Sequence, residues 1–176
     1  MAPLYPFARV ADQSRIARHP AVVVGTGPVG LATALDLGWQ GVPVLPPDAG
    51  EGVSDGSRVI CFAKRTLEIA DRLGARRTML DKGVVRNVGR VFHDDRQIYD
   101  FYLSPEAGRQ FPAFINLQQP YFEEYLFGAI LAAKANSAPI EIRGKHRVTA
   151  LETDPGFTTL VVDTPDGPYR KWRRAR

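Results

Sequence analysis

The chain opens polar and turns apolar at residue 21. Residues 1–20 carry three prolines and read as an extended arm. Ala21-Val22-Val23-Val24 is then a short unbroken apolar run, the pattern of a strand buried on both faces. Glycine-rich residues 25–30 follow it. Val29, Ala32 and Leu35 recur at helical spacing, and Gly41 supplies a stop. A second apolar run begins at Gly41-Val42-Pro43-Val44-Leu45. Strand, tight turn, helix, strand: this is one βαβ unit.

Residues 46–57 read as a loop rich in Gly, Pro, Asp and Ser. A helix is predicted over 64–73, with Leu67, Ala70 and Leu73 on one face and Gly74 ending it. Residues 84–92 and 97–103 read as two strands joined by the turn His93-Asp94-Asp95-Arg96. Phe114-Ile115-Asn116 is a short extended piece. Pro120 starts a helix to residue 135 with Phe122, Tyr125, Leu126, Ala129 and Ile130 facing inward. Residues 140–142, 148–151 and 158–163 read as strands, and Thr164-Pro165-Asp166-Gly167 as a turn.

A length of 176 residues suits one core. Apolar runs stay well short of the roughly 18 residues that would mark a membrane span. The start lacks an apolar signal region, so no secretory leader is expected. The single cysteine, Cys61, permits no intrachain disulfide and no cysteine-based metal site, and a reducing cytoplasm fits it. It is expected to fill the core. His19, His93 and His146 are scattered among polar turns and read as surface residues, so no metal site is expected.

The formal charge is +4, but residues 170–176 read RKWRRAR and hold five positive charges, so the rest carries −1. The basicity belongs to the end of the chain, and nucleic acid is not an expected partner. Residues 1–20 are expected to form the arm, 21–169 the folded domain and 170–176 a basic tail outside the fold.

The chemistry is concentrated in Gly25-Thr26-Gly27-Pro28-Val29-Gly30. The first glycine of such a hexad permits the turn out of the strand. The second lets a diphosphate approach the backbone, and the third lets the helix pack against the sheet. The helix N-terminus presents free N–H groups and the positive end of its dipole to the phosphates. Asp48 follows 18 residues after Gly30 at the end of the second strand, where a carboxylate can accept from ribose hydroxyls. Pro46-Pro47 conflict with a central strand, because proline donates nothing to a ladder. They either end the strand early or displace Asp48. The fold class is α/β: a Rossmann-like domain with a parallel sheet, a βαβ unit and an inserted antiparallel hairpin.

The runs VVVGTGPVGLATALDLGWQGVPV, SDGSRVICFAKRTLEIADRLG and FINLQQPYFEEYL resemble the FAD-dependent aromatic hydroxylases related to para-hydroxybenzoate hydroxylase. The 3-(3-hydroxyphenyl)propionate hydroxylase-like branch is the most similar. The most specific stretch runs from Ser57-Arg58 into Lys64-Arg65-Thr66-Leu67-Glu68.

The resemblance implies an FAD site. Gly25, Thr26, Gly27, Pro28, Val29 and Gly30 would hold the diphosphate, and Asp48 the adenosine ribose. Arg58 would sit by the ribityl-phosphate region. Gln119, or Gln118 in an alternative register, would bond the ribityl chain or flavin, and Val148 would offer its backbone to the adenine. The flavin would activate O₂ and pass one oxygen atom to an aromatic ring, with NAD(P)H as reductant and the protein excluding water. In that family further glycine–aspartate motifs lie beyond the part matched up to Tyr169. The chain is therefore expected to be the N-terminal part of such an enzyme, incomplete at its C-terminus and inactive alone. No catalytic acid, base or nucleophile is named. An NAD(P)-dependent dehydrogenase and a non-catalytic dinucleotide-binding module are the alternatives.

Overall fold

The computed structural model describes residues 4–7, 9, 17–56, 58–103 and 110–173. In chain order the elements are β1 (Ala17–Arg18), β2 (Ala21–Val22), α1 (Pro28–Trp39), β3 (Val44–Leu45), β4 (Cys61–Ala63) and α2 (Lys64–Arg72). Then come α3 (Arg76–Lys82), β5 (Val84–Val85), β6 (Val88–His93), β7 (Arg96–Tyr102) and β8 (Phe114–Asn116). The last are α4 (Gln119–Ala135), β9 (Arg147–Asp154), β10 (Phe157–Thr164) and β11 (Gly167–Arg173).

β2 and β3 pair in parallel, as the βαβ pattern requires. Isolated parallel bridges from Val44 to Ile140 and from Pro47 to Arg143 add a third strand-like segment on the far side of β3. β3 therefore lies inside the parallel sheet, and its alternation sends successive side chains to opposite layers. Val44 joins the main core with Leu31, Leu35, Phe122, Leu126 and Ile130 of helices α1 and α4. Leu45 joins a smaller cluster with Leu160 and Val162 of β10. The result is helices, parallel sheet and antiparallel sheet in three layers.

Strand β3 ends at Leu45, just before the two prolines, but ladder bonds continue past them. Pro46 and Pro47 still offer their carbonyls, to Arg143 N–H at 3.0 Å and Gly25 N–H at 2.9 Å. Asp48 N–H resumes the ladder on Arg143 O at 2.9 Å. Each proline removes one donor while the bonds on either side persist.

Several expectations need correction. The turn after β10 sends the chain back as β11, which pairs antiparallel with β10 and parallel with β1. The backbone of residues 170–173 therefore belongs to a sheet. Ladder pairing satisfies main-chain groups whatever the side-chain charge. Residues 174–176 lie outside the described residues, as does Ser57. The first twenty residues are likewise more than an arm, since Tyr5 is in the core and residues 17–18 form β1.

The strand from residue 21 is not buried on both faces. Val24 is 57% exposed, because among the described residues only β3 pairs with β2. Val29 points outward at 80% exposure, and α1 buries Leu31, Ala34, Leu35 and Gly38 instead. Cys61 is exposed, because the alternation of β4 turns Phe62 inward. His146 is fully buried beside Phe7, rather than at the surface. The predicted strand over 84–92 splits: β5 pairs with β8, while β6 forms the hairpin with β7. Helix α3 was not expected at all. Its sequence RRTMLDK buries only Met79, too sparse a pattern to mark a helix face.

Candidate functional site

The glycine turn joins the end of the parallel strand to α1. Gly25 has φ +92°, a left-handed conformation open to glycine at no steric cost. At Gly30 an added Cβ would overlap the Gly25 carbonyl oxygen and stand 3.0 Å from its carbon. The turn is thus closed against the first residue of α1's second half-turn, and only hydrogen fits. Gly27 is different. It is the N-cap of α1 with φ −68°, and a Cβ there would meet only Glu123 Oε1, at 4.0 Å. The space beside Gly27 is open.

No side chain caps α1, and no acidic residue stands in its first turn. Pro28 at the first helical position has no N–H to satisfy. Leu31 N–H closes the first helical bond on Gly27 O at 2.9 Å. The helix end thus faces the turn as a set of donors with a positive dipole. Among the described residues no group of three or more His, Cys, Asp or Glu could hold a metal. The turn suits an anionic group approached through backbone N–H groups.

Asp48 reaches this turn directly. Its Oδ2 accepts from Thr26 N–H at 2.6 Å and from Thr26 Oγ1 at 2.7 Å. Its Oδ1 accepts from Gly50 N–H at 2.7 Å. Thr26 is itself buried, and its carbonyl accepts from the Tyr5 hydroxyl at 3.3 Å. Every polar group of Thr26 is held. Burial pushes the Tyr5 phenol up to about 12, against an opposing hydrogen bond with the Thr26 side chain and with the nearby Glu123 and Asp48 carboxylates adding to the rise.

A second cluster flanks the first. Gln119 opens α4, and its Oε1 accepts from Arg58 N–H at 3.2 Å. Its Nε2 donates to Glu123 Oε1 at 2.6 Å. Glu123, one helical turn on, is 2% exposed, and its Oε2 accepts from Ser54 N–H at 3.0 Å and Ser54 Oγ at 2.8 Å. One buried carboxylate therefore ties the 54–58 loop to α4 beside Gly27.

The structure brings most of the expected residues together. The hexad, Asp48, Gln119 and the Arg58 backbone form one neighbourhood, while the Arg58 side chain is exposed. Gln118 is the N-cap of α4 and is exposed, so the contact with the loop falls to Gln119. Val148, in β9, pairs with Val162 of β10 and packs on the Leu45 cluster, two residues after His146, whose N–H donates to Asp48 O at 2.7 Å. Tyr5, Ser54 and Glu123 were missed. Glu123 carried a signal, being a charge on the same helical face as Phe122, Leu126 and Ile130 and four residues after Gln119. Tyr5 and Ser54 carried none.

A separate open cavity of about 650 Å³ lies between β4–β8 and the hairpin, lined in part by Cys61, Arg86, Arg90, Phe101, Phe114 and Asn116.

Residues 18–171 match the FAD binding domain family. Para-nitrophenol 4-monooxygenase of Pseudomonas sp. (strain WBC-3) is 30% identical over 153 residues, covering 85% of this chain and 36% of that protein. A 3-(3-hydroxy-phenyl)propionate/3-hydroxycinnamic acid hydroxylase of Mycolicibacterium vanbaalenii is 29% identical over 149 residues, 85% of this chain and 26% of its own length. The crystal structure of p-nitrophenol 4-monooxygenase PnpA from Pseudomonas putida DLL-E4 superposes with a TM-score of 0.79 at 26% identity, over 90% of this chain and 40% of that one. The chain thus spans about a third or less of the length of these two relatives.

Proposed function

Because this chain belongs to the FAD binding domain family, we propose that it is the cofactor-binding part of an NAD(P)H-dependent flavoprotein monooxygenase that hydroxylates a phenolic substrate. The observation that carries the reading is the glycine turn: rigidly held at Thr26, open at Gly27 and ending on the uncapped N-terminus of α1. Those features fit a dinucleotide diphosphate. Bound FAD would supply the redox chemistry that activates O₂. The protein's own groups do the rest.

In this reading the N–H groups at the start of α1 hold the diphosphate, and Gly27 lets it approach the backbone. Asp48 keeps the turn in shape and has lone pairs left on Oδ1 for a ribose hydroxyl. Glu123 fixes the Gln119 amide and the 54–58 loop, so that Arg58 and Gln119 approach the ribityl side. Val148 would serve the adenine through its backbone. The open cavity beside the hairpin combines two arginines with Phe101 and Phe114. That lining suits an acidic aromatic molecule. No helix among the described residues is long and apolar enough to cross a membrane. A cytoplasmic location, where NADH and NADPH are at hand, goes with the reading. Neither nucleic acid nor a lipid surface is among the proposed partners.

The test is to titrate the purified chain with FAD, NAD and NADP separately, then to supply FAD, NADPH and a panel of hydroxyphenyl acids. Saturable binding of FAD with a changed flavin spectrum is expected, with weaker binding of NAD and NADP. Oxygenated product, sought by mass, is not expected from these 176 residues alone. Preference for NAD would favour a dehydrogenase, and cofactor binding without NADPH oxidation would favour a non-catalytic module.

A further inference from the structure

The family match starts at residue 18, yet one of the groups holding Thr26 comes from residue 5. The segment around Tyr5 is docked from several sides. Leu4 forms an antiparallel bridge with Gly52. Tyr5 N–H donates to Glu51 O at 2.8 Å, and Gly144 N–H donates to Pro6 O at 3.0 Å. Position 144 has to be small here, since a Cβ would stand 3.0 Å from Tyr5 Cβ and 3.3 Å from its carbonyl oxygen. The Tyr5 ring meets Phe127 of α4 edge-on, with centroids 5.1 Å apart, and the residue is 5% exposed.

The hydroxyl then donates to the Thr26 carbonyl at 3.3 Å. That carbonyl and the Gly27 N–H belong to one peptide unit. The unit is planar and trans, so the two groups point in opposite directions. Fixing the carbonyl toward Tyr5 fixes the Gly27 N–H toward the other side of the turn. Asp48 cannot do this, because the Thr26 N–H that it holds belongs to the preceding peptide unit. From this geometry we propose that Tyr5 is a positioning residue for the cofactor diphosphate. Its hydroxyl sets the Thr26–Gly27 peptide so that the Gly27 N–H faces the ligand. The inference rests on reading the 25–30 turn as the diphosphate site. The phenol is protonated, and so a donor, throughout the neutral range, and burial pushes its pKa further up.

The test is Tyr5→Phe in the full chain, which removes the hydroxyl and keeps the ring on Phe127. Dissociation constants are measured for FAD, for ADP and for riboflavin, which lacks the diphosphate, together with the thermal midpoint of the apo protein. FAD and ADP should each weaken by about three- to tenfold, as for the loss of one hydrogen bond. Riboflavin should change by less than about twofold on the same scale. A purely structural role would lower the thermal midpoint and leave the ligand constants alone, or weaken all three ligands alike; either result overturns the proposal. Gly27→Ala is the control. If it weakens FAD while Tyr5→Phe does not, the inference about Tyr5 fails by itself. If neither variant weakens FAD, the diphosphate reading of the turn fails and the inference falls with it.

Discussion

Gly27 and Gly30 stand three residues apart in one turn, and the structure assigns them opposite failures when each is changed to alanine. At Gly27 the new methyl group meets only Glu123 Oε1 at 4.0 Å, and φ of −68° is ordinary for alanine. Alanine is a poorer N-cap than glycine, which costs about 1 kcal/mol. Loss of glycine's freedom in the unfolded chain returns about 0.4–1 kcal/mol. The two nearly cancel, so the stability of the apo protein should change by less than about 0.5 kcal/mol. The methyl group does fill the space in which a diphosphate would lie against the backbone. FAD should therefore weaken at least about tenfold, or roughly 1.4 kcal/mol.

At Gly30 the methyl group collides with the Gly25 carbonyl, a backbone group that cannot swing away. Forced overpacking of this kind costs about 1–3 kcal/mol. In a domain of this size that lowers Tm by roughly 2–12 °C. Urea unfolding followed by circular dichroism reads the stability, and quenching of flavin fluorescence reads the affinity. A Gly27→Ala protein that bound FAD like the parent would refute the account of the turn. A Gly30→Ala protein as stable as the parent would refute the packing argument.

Asp48→Ala removes the acceptor of three hydrogen bonds and should weaken FAD by about 1–3 kcal/mol, read by calorimetric titration. An unchanged affinity would mean that the turn keeps its shape without the carboxylate. Glu123→Ala removes the buried carboxylate that accepts from Ser54 N–H, Ser54 Oγ and Gln119 Nε2, and apo stability should fall by about 1–3 kcal/mol, as for hydrogen bonds to a charged acceptor. Glu123→Gln should recover part of it, and equal losses in the two variants would count against the hydrogen-bonded bridge. Burial lowers the pKa of His146 and of His19, with Arg143 acting in the same direction. Below the unfolded value of about 6.5 the unfolded chain binds protons that the folded chain resists. Their stabilising effect is therefore fully present above about pH 6.5 and is lost as the pH falls through the depressed folded values. Urea midpoints at a series of pH values should show this decline, and His146→Asn should flatten it; an unchanged slope would contradict the burial argument.

The βαβ unit was legible in the chain because three local signals coincide there: an apolar run, a glycine hexad and a helical stripe closed by Gly41. The long helix, read from Pro120 to residue 135 and observed over Gln119–Ala135, was legible from its helical stripe of Phe122, Tyr125, Leu126, Ala129 and Ile130. Asp48 could be placed in spite of Pro46-Pro47, although the sequence left open whether the prolines moved it. The answer lay in carbonyls that still serve the ladder and in donors just outside the pair. What escaped the reading depends on distant partners. Tyr5 looks like any residue of a proline-containing arm until Gly52, Phe127 and Gly144 are brought around it. The end of the chain read as a basic tail because charge is visible in a sequence and backbone pairing is not. Cys61 was assigned to the core by residue type, whereas the alternation of a three-residue strand turns Phe62 inward and Cys61 outward.

The central claim is that the 25–30 turn receives the diphosphate of FAD, with Asp48, Arg58 and Gln119 arranged around the same molecule. Amide resonances of the isotopically labelled chain, followed through a titration with FAD, test this most directly. The largest saturable shifts should fall on Thr26, Gly27, Val29 and Gly30, with smaller ones at Asp48, Arg58 and Gln119, and the Gly27→Ala protein should lose them together. Shifts confined to the hairpin and its cavity, or a turn that stays silent while flavin binds elsewhere, would contradict the account.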